Sequence, residues 1–429
     1  MKEIKIQNLK GTTDYLPEEQ VLRDKIINTL KNTFELYGYM PLVTPILNKY
    51  DLLSYKYDED AEILNETYKL TDQAERKLGL RYDLTIPFCK VIAINKDLRM
   101  PFKRYEIGKV FRNGPVKLGR MREFYQCDVD VVGIDSRMIE IEQLIMVKKI
   151  FDSLGIDVVI KWNNRKLMSG LITYAGIDSE LIDKVISIID HMEKISHVEM
   201  IKEFEKIGID NTKAEEILEL FSLSLDEYIE KFKDSDIELI KEGLNEINEI
   251  NDLIEKYELK NSTQFTSTLA RGLSIYTGIV FEFFDKKKRI TSSLGGGGRY
   301  NKIITDFIDN GNEYPACGLS FGLEPIYEIL KKDITGNSLV DCLIIPMDTE
   351  VEALSIATVL RDNDIKAIVE MNKRKIKKSF EFANKTNIKY VIVIGDNEVK
   401  EEKYTLKDME SGNQELLSID EIVKIIKKK

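Results

Sequence analysis

Between about residues 165 and 255 the chain has no proline and few glycines, and Glu, Lys, Ile and Leu dominate. A stretch without turn-forming residues cannot make a sheet of short strands; it predicts a small helical body. On either side the texture differs. Short apolar runs rich in aromatic and β-branched residues occur at Tyr68 to Leu70, Phe102 to Ile107, Phe124 to Val132 and Ile279 to Phe284. These predict strands of an antiparallel sheet. The chain must therefore build an α+β fold of six or seven strands, flanked by helices and interrupted in sequence by a helical insertion.

Two further helices are predicted. Over residues 17 to 36, Pro17 suits a first turn, and Leu22, Ile26, Leu30 and Phe34 recur every four residues on one face. Another helix begins near Leu323. A boundary follows at residues 333 to 341. Beyond it strands at 342–345, 367–370 and 390–394 alternate with helices at about 350–362 and 376–386, which predicts a small α/β domain with a mostly parallel sheet. The expected domains are thus residues 1–330, with the insertion at about 165–255, and residues 338–429.

Composition narrows the function. There are 63 Lys and Arg against 74 Asp and Glu, a net charge of −11, so a uniformly basic surface is excluded while local basic patches are not. The four cysteines, Cys89, Cys127, Cys317 and Cys342, lie far apart, and there are two histidines. Neither a disulfide framework nor a side-chain metal site is expected. The N-terminus lacks an apolar leader and no stretch approaches a membrane span, so no membrane partner is expected and the cytoplasm is the predicted location.

The segment FKRYEIGKVFRNGPVKLGRMREFYQCDVDVVG, residues 102–133, reads as strand, polar loop, strand. Its loop carries Arg112, Lys117, Arg120 and Arg122, and guanidinium groups pair phosphate oxygens bidentately. Phe124 offers a face for a base, and residues 126, 128 and 130 share one face of the second strand. Charge and spacing alone fit equally well a surface hairpin with solvated cations. Elsewhere, LRYDLTIP (80–87) offers the acceptors Asp83 and Thr85, and SSLGGGGRYNKII (292–304) places four glycines between a strand and a helix, where backbone can approach a ligand.

Taken together these segments resemble the class II aminoacyl-tRNA synthetases in their histidyl form. Residues 102–133 resemble motif 2. GYMPLVTPIL (38–47) resembles motif 1, which forms a dimer interface around Pro45, and ACGLSFGLEPIYEIL (316–330) resembles motif 3. LARGLSIYTGIVFEFF (269–284) and the glycine run resemble two signatures particular to the histidyl enzymes. The resemblance implies ATP-driven joining of histidine to tRNA(His), with Mg2+ as cofactor, by a homodimer. It places catalysis on Arg271 and Arg112 and ATP on Arg112, Arg120, Phe124 and Arg271. It places histidine among Asp83, Leu84, Thr85, Gln126, Asp130, Ile275, Tyr276 and Tyr300. It makes the C-terminal domain an anticodon-binding domain, where the run MNKRKIKK supplies Lys373, Arg374, Lys375, Lys377 and Lys378 to the tRNA.

The chain departs from the family pattern at three places. Ser274-Ile275 stand where the family has Asp-Tyr, Asn301 replaces an Asp, and Pro325 replaces the motif 3 arginine. These departures also suit a catalytically silent paralogue that senses histidine and regulates another protein. The retained Arg112, Arg120 and Arg271 favour the enzyme.

Overall fold

The structure is a computed structural model that describes residues 5–55, 62–192, 195–271, 275–333, 338–372 and 374–428. The chain divides into two compact units, residues 1–14 with 23–329, and residues 15–22 with 330–429.

The first unit is built on an eight-stranded sheet. Its order is Met40–Pro41, Phe102–Phe111, Glu123–Val132, Ala316–Gly322, Gly295–Arg299, Ile279–Asp285, Val158–Asn164 and Thr263–Phe265. The six central strands pair antiparallel, as the alternation predicts, and the two short edge strands pair parallel. Those edges hold only two and three residues, too few for a periodic signal, so the sequence predicts fewer strands than form. Tyr68 to Leu70 overlaps the strand Lys69–Thr71, which joins Lys77–Leu80 and Leu47–Lys49 in a separate three-stranded sheet.

One face of the large sheet is covered by apolar packing. Phe34, from the helix Pro17–Leu36, meets Tyr105 and Phe321, and Phe151, from the helix Met138–Ser153, meets Phe283 and Phe321. All but Tyr105 are fully buried, each contributing about 2–3 kcal/mol. Residues of even number on the Glu123–Val132 strand point to the opposite face.

The insertion is helical as predicted, running from Arg165–Tyr174 to Glu238–Lys256. Asn164, Ser196, Asp210 and Ser224 cap four of its helices by accepting backbone N–H bonds. Gly170 and Gly243 let the first and last helices touch, since a Cβ on either would overlap the partner's backbone.

The second unit holds a five-stranded sheet, in the order Ala367–Val369, Cys342–Pro346, Tyr390–Ile394, Tyr404–Asp408 and Gln414–Leu417. Three strands are parallel and two antiparallel, so the sheet is mixed rather than mostly parallel. The last two strands are polar and half-exposed, which hides them from an apolar-run criterion.

Candidate active site

The pairing register builds the site. Along the Glu123–Val132 strand, Asp130 faces Arg104, Asp128 faces Glu106 and Gln126 faces Gly108 on one neighbour. On the other neighbour the same residues face Gly318, Ser320 and Gly322. A sheet centre that is normally apolar thus carries a row of polar groups flanked by glycine. The glycine at 318 is required by space, because a Cβ there would overlap the Asp130 carboxylate.

Above this row lies a narrow cavity, lined by Thr85, Asp128, Asp130, Ile275, Tyr276, Tyr300, Ser320 and the backbone of both glycine strands. Five predicted histidine-pocket residues, Thr85, Asp130, Ile275, Tyr276 and Tyr300, meet here. Gln126 sits alongside and donates from Nε2 to Ser320 Oγ at 3.0 Å, leaving its Oε1 without a protein partner. Asp83, just before the helix Thr85–Ile94, accepts from the Ile86 N–H at 3.0 Å. Burial pushes its carboxyl above the usual range, against the pull of the Ile86 N–H and Arg112. Leu84 is fully buried, and its carbonyl accepts from Arg104 at 3.3 Å.

Asp130 has a hydrogen bond at Oδ1 and an ion pair at Oδ2, which has no hydrogen-bond partner. Tyr300 donates its hydroxyl to Oδ1, and Arg104 Nη2 lies 2.7 Å from Oδ2. Arg104 is itself completely buried against the Phe88 ring, 4.3 Å from the centroid. Glu106 behind it pairs with Arg81 at 2.8 Å and accepts from Thr44. Neither Arg104 nor Asp128 is among the residues that sequence reasoning assigns a role. The available signal was charge at alternate positions, 104 with 106 and 128 with 130, inside otherwise apolar strands.

The glycine run corrects an expectation. It is itself a central strand, Gly295–Arg299, and not a connection between a strand and a helix. Glycine has no strand propensity, so the sequence points to a loop. Sterics explain the run: a Cβ on Gly296 would overlap the Arg271 guanidinium, and one on Gly297 would overlap the Gly318 carbonyl. Arg271 therefore lies flat on the sheet, 3.6 Å from Glu282 and hydrogen-bonded to Tyr276. Its backbone is left-handed, with φ at +58°, a conformation costing a non-glycine residue on the order of 1 kcal/mol. Gly272, Leu273 and Ser274 lie outside the described residues.

Along the hairpin, the Arg112 guanidinium stands 4.1 Å from the Tyr82 ring centroid and 5.0 Å from that of Phe124. Arg120 pairs with Glu66 at 3.0 Å. Pro325 sits in the first turn of the helix Leu323–Leu330, where proline is tolerated, and the tip of the hairpin at Gly119 approaches it. The neighbouring Glu324 is buried against Arg23 at 2.9 Å.

The second unit carries the cationic run. Arg374 pairs with Glu370 at 3.3 Å and stacks on Phe382, while Lys375, Lys377 and Lys378 are exposed at the start of the helix Ile376–Lys385. Lys373 lies outside the described residues.

With this geometry in place, comparison with known proteins is informative. The family described as histidyl-tRNA synthetase matches residues 11–326, and the anticodon binding domain family matches residues 341–429. Histidine–tRNA ligase 1 of Bacillus cereus is 45% identical over 416 residues, covering 96% of this chain and 97% of the relative. The crystal structure of histidyl-tRNA synthetase from Nostoc aligns with a TM-score of 0.85 at 29% identity, covering 99% of this chain and all of that one. A Bacillus halodurans structure titled ATP phosphoribosyltransferase regulatory subunit/histidyl-tRNA synthetase shares the fold, with a TM-score of 0.76 at 20% identity over 92% of this chain and all of that one. The fold and both family matches make the chain an aminoacyl-tRNA synthetase. More narrowly, it belongs to the histidyl-tRNA synthetase family.

Proposed function

We propose that the cavity over the Glu123–Val132 strand holds histidine and that ATP lies along the motif 2 hairpin, so that the chain forms histidyl-adenylate and transfers histidine to tRNA(His). In the first step a substrate carboxylate oxygen attacks the α-phosphorus, the α–β P–O bond breaks and pyrophosphate leaves. In the second, a terminal ribose hydroxyl attacks the acyl carbon and AMP leaves. Neither step needs a side-chain nucleophile; positioning and charge neutralisation carry both.

Arg271 and Arg112 would neutralise the α-phosphate as charge builds in the transition state. Arg120 would bind the terminal phosphates in exchange for Glu66, and adenine would stack on Phe124. Asp83, Leu84, Thr85 and Gln126 would surround the α-amino end, while Asp130, Ile275, Tyr276 and Tyr300 would enclose the imidazole. Mg2+, brought with ATP, would spread the phosphate charge. Glu282, partly exposed beside Arg271, is a carboxylate that would hold the ion.

The carrying observation is one cavity in which Thr85, Asp130, Tyr276 and Tyr300 converge beside Arg271. The exposed lysines support a tRNA role for residues 338–429: a helix N-terminus repels cations, so their placement serves something other than the helix. Exposed Val43, Ile46 and Leu47 in the motif 1 segment support a homodimer. Four buried, unpaired cysteines suit the cytoplasm, and no helix among the described residues is long and apolar enough to cross a membrane. A silent regulatory paralogue is not favoured, because a named ligase is 45% identical and the regulatory-subunit structure only 20%. Pyrophosphate–ATP exchange tests the reading. It should depend on histidine, and exchange driven equally by other amino acids would overturn it.

A further inference from the structure

The backbone of Arg271 is left-handed, and a non-glycine residue stays so only where its surroundings over-determine it. Its φ angle turns about the bond that joins it to the planar Ala270–Arg271 peptide, so whatever holds that peptide sets φ. The holding groups lie at the root of the helical insertion and inside it. Asn163, 1% exposed on the strand Val158–Asn164, donates from Nδ2 to the carbonyls of Ser267 at 2.7 Å and Leu269 at 3.0 Å. The Ser267 hydroxyl donates to the Phe221 carbonyl, at the end of the helix Asn211–Phe221. Ala270 itself is held from two sides. Asp190, at the C-cap of the helix Ile182–Ile189, accepts its N–H at 3.4 Å. Arg165, the first residue of the helix Arg165–Tyr174, donates from Nη1 to its carbonyl at 3.5 Å.

Arg165 is 7% exposed, and its partner carboxylate, Asp183 at 2.7 Å, stands mostly in solvent. Burial pulls the Arg165 guanidinium below its usual value, against Asp183 and Asp190. An apolar side chain of like volume commonly fills such a place as stably, so packing alone does not account for the charge. The Asp190 carboxylate also favours the charged form of Arg271. Resting on the role given above to Arg271 in forming the adenylate, we propose that Arg165 and Asp190 are positioning residues: they fix the Ala270 peptide so that the Arg271 guanidinium lies over Gly296, which makes the helical insertion part of the activation machinery. Arg271 is then held at both ends, by the Ala270 peptide at its backbone and by Tyr276 and Glu282 at its guanidinium.

The test is a double-mutant cycle in pyrophosphate exchange, pairing Arg165→Met, which keeps the volume, with Arg271→Ala. Arg165→Met alone should lower kcat about 10- to 100-fold and leave the histidine KM within about threefold, because a displaced guanidinium weakens the transition state more than substrate binding. In the Arg271→Ala background the same change should cost at most about twofold, since residues that act as one unit are not additive. Arg165→Lys, which can still donate to the carbonyl, should recover part of kcat. Asp190→Ala repeats the cycle at a less buried position and decides the matter should Arg165→Met not fold. Equal losses with and without Arg271, or a folded single variant that keeps the parent kcat, would overturn the proposal. Normal exchange in Arg271→Ala, or parent exchange that does not depend on histidine, would overturn the functional reading and this proposal with it.

Discussion

The two sheets of this chain spend their interiors differently. The eight-stranded sheet buries Arg104, Glu106, Asp128 and Asp130 on adjacent strands, each at most 4% exposed. The five-stranded sheet buries Cys342, Ile344, Ile392 and Ile394 at the same depth, packed on Ala353, Ala357 and Leu360, and keeps its cations at the surface. Buried charge destabilises unless it is paired, so a row of it marks where chemistry was selected over stability. The apolar sheet marks a scaffold that presents its function outside. Charge in the first region should therefore act on folding and activation together, and charge in the second on binding alone.

The largest effect should come from Asp130→Ala. It leaves Arg104 buried without its main partner, and a loss of about 3–5 kcal/mol is expected in a denaturant midpoint experiment. An unchanged midpoint would show that Arg104 is satisfied elsewhere. Arg271→Ala should cut pyrophosphate exchange about a hundred- to a thousandfold, because its charge matters most in the transition state. Near-normal exchange by the folded variant would remove Arg271 from the mechanism.

Asp128 gives an effect of opposite sign. Folded, its carboxyl keeps a proton up to about pH 7; unfolded, it releases that proton near the ordinary carboxylate value of about 4. The folded form binds more protons in that window, so this group's stabilising contribution is present below about pH 4 and is lost as pH rises to 7. Asp128→Asn removes that loss. The variant should be up to about 4 kcal/mol more stable than the parent at pH 8, with the gain vanishing toward pH 4. A pH-independent difference would contradict this.

The smallest effect belongs to the second region. Neutralising Lys373, Arg374, Lys375, Lys377 and Lys378 should weaken tRNA binding and shrink the slope of log affinity against log salt by about 0.7–0.9 per lost phosphate contact. Exchange should stay intact. A salt slope identical to the parent's would place the RNA on another surface.

Much of this organisation was legible in the sequence. The helical insertion declared itself by lacking proline, and the hairpin strands by alternation. The C-terminal strands showed as Cys342 to Ile345 and Tyr390 to Ile394. What stayed hidden depended on register. Nothing local says that Gly318 lies beside Asp130, or that Gly296 makes room for Arg271, because both facts arise from strands far apart in the chain. For the same reason the partners of Asp130 were hidden: Arg104 and Tyr300 lie 26 residues before and 170 residues after it.

Charging of tRNA with each amino acid in turn, in the presence of ATP, tests the central claim most directly. The account predicts that the parent protein attaches histidine and no other amino acid, and that the variant lacking the C-terminal cations does so with a raised KM for tRNA. Charging with a different amino acid, or histidine activation that never yields histidyl-tRNA, would contradict it.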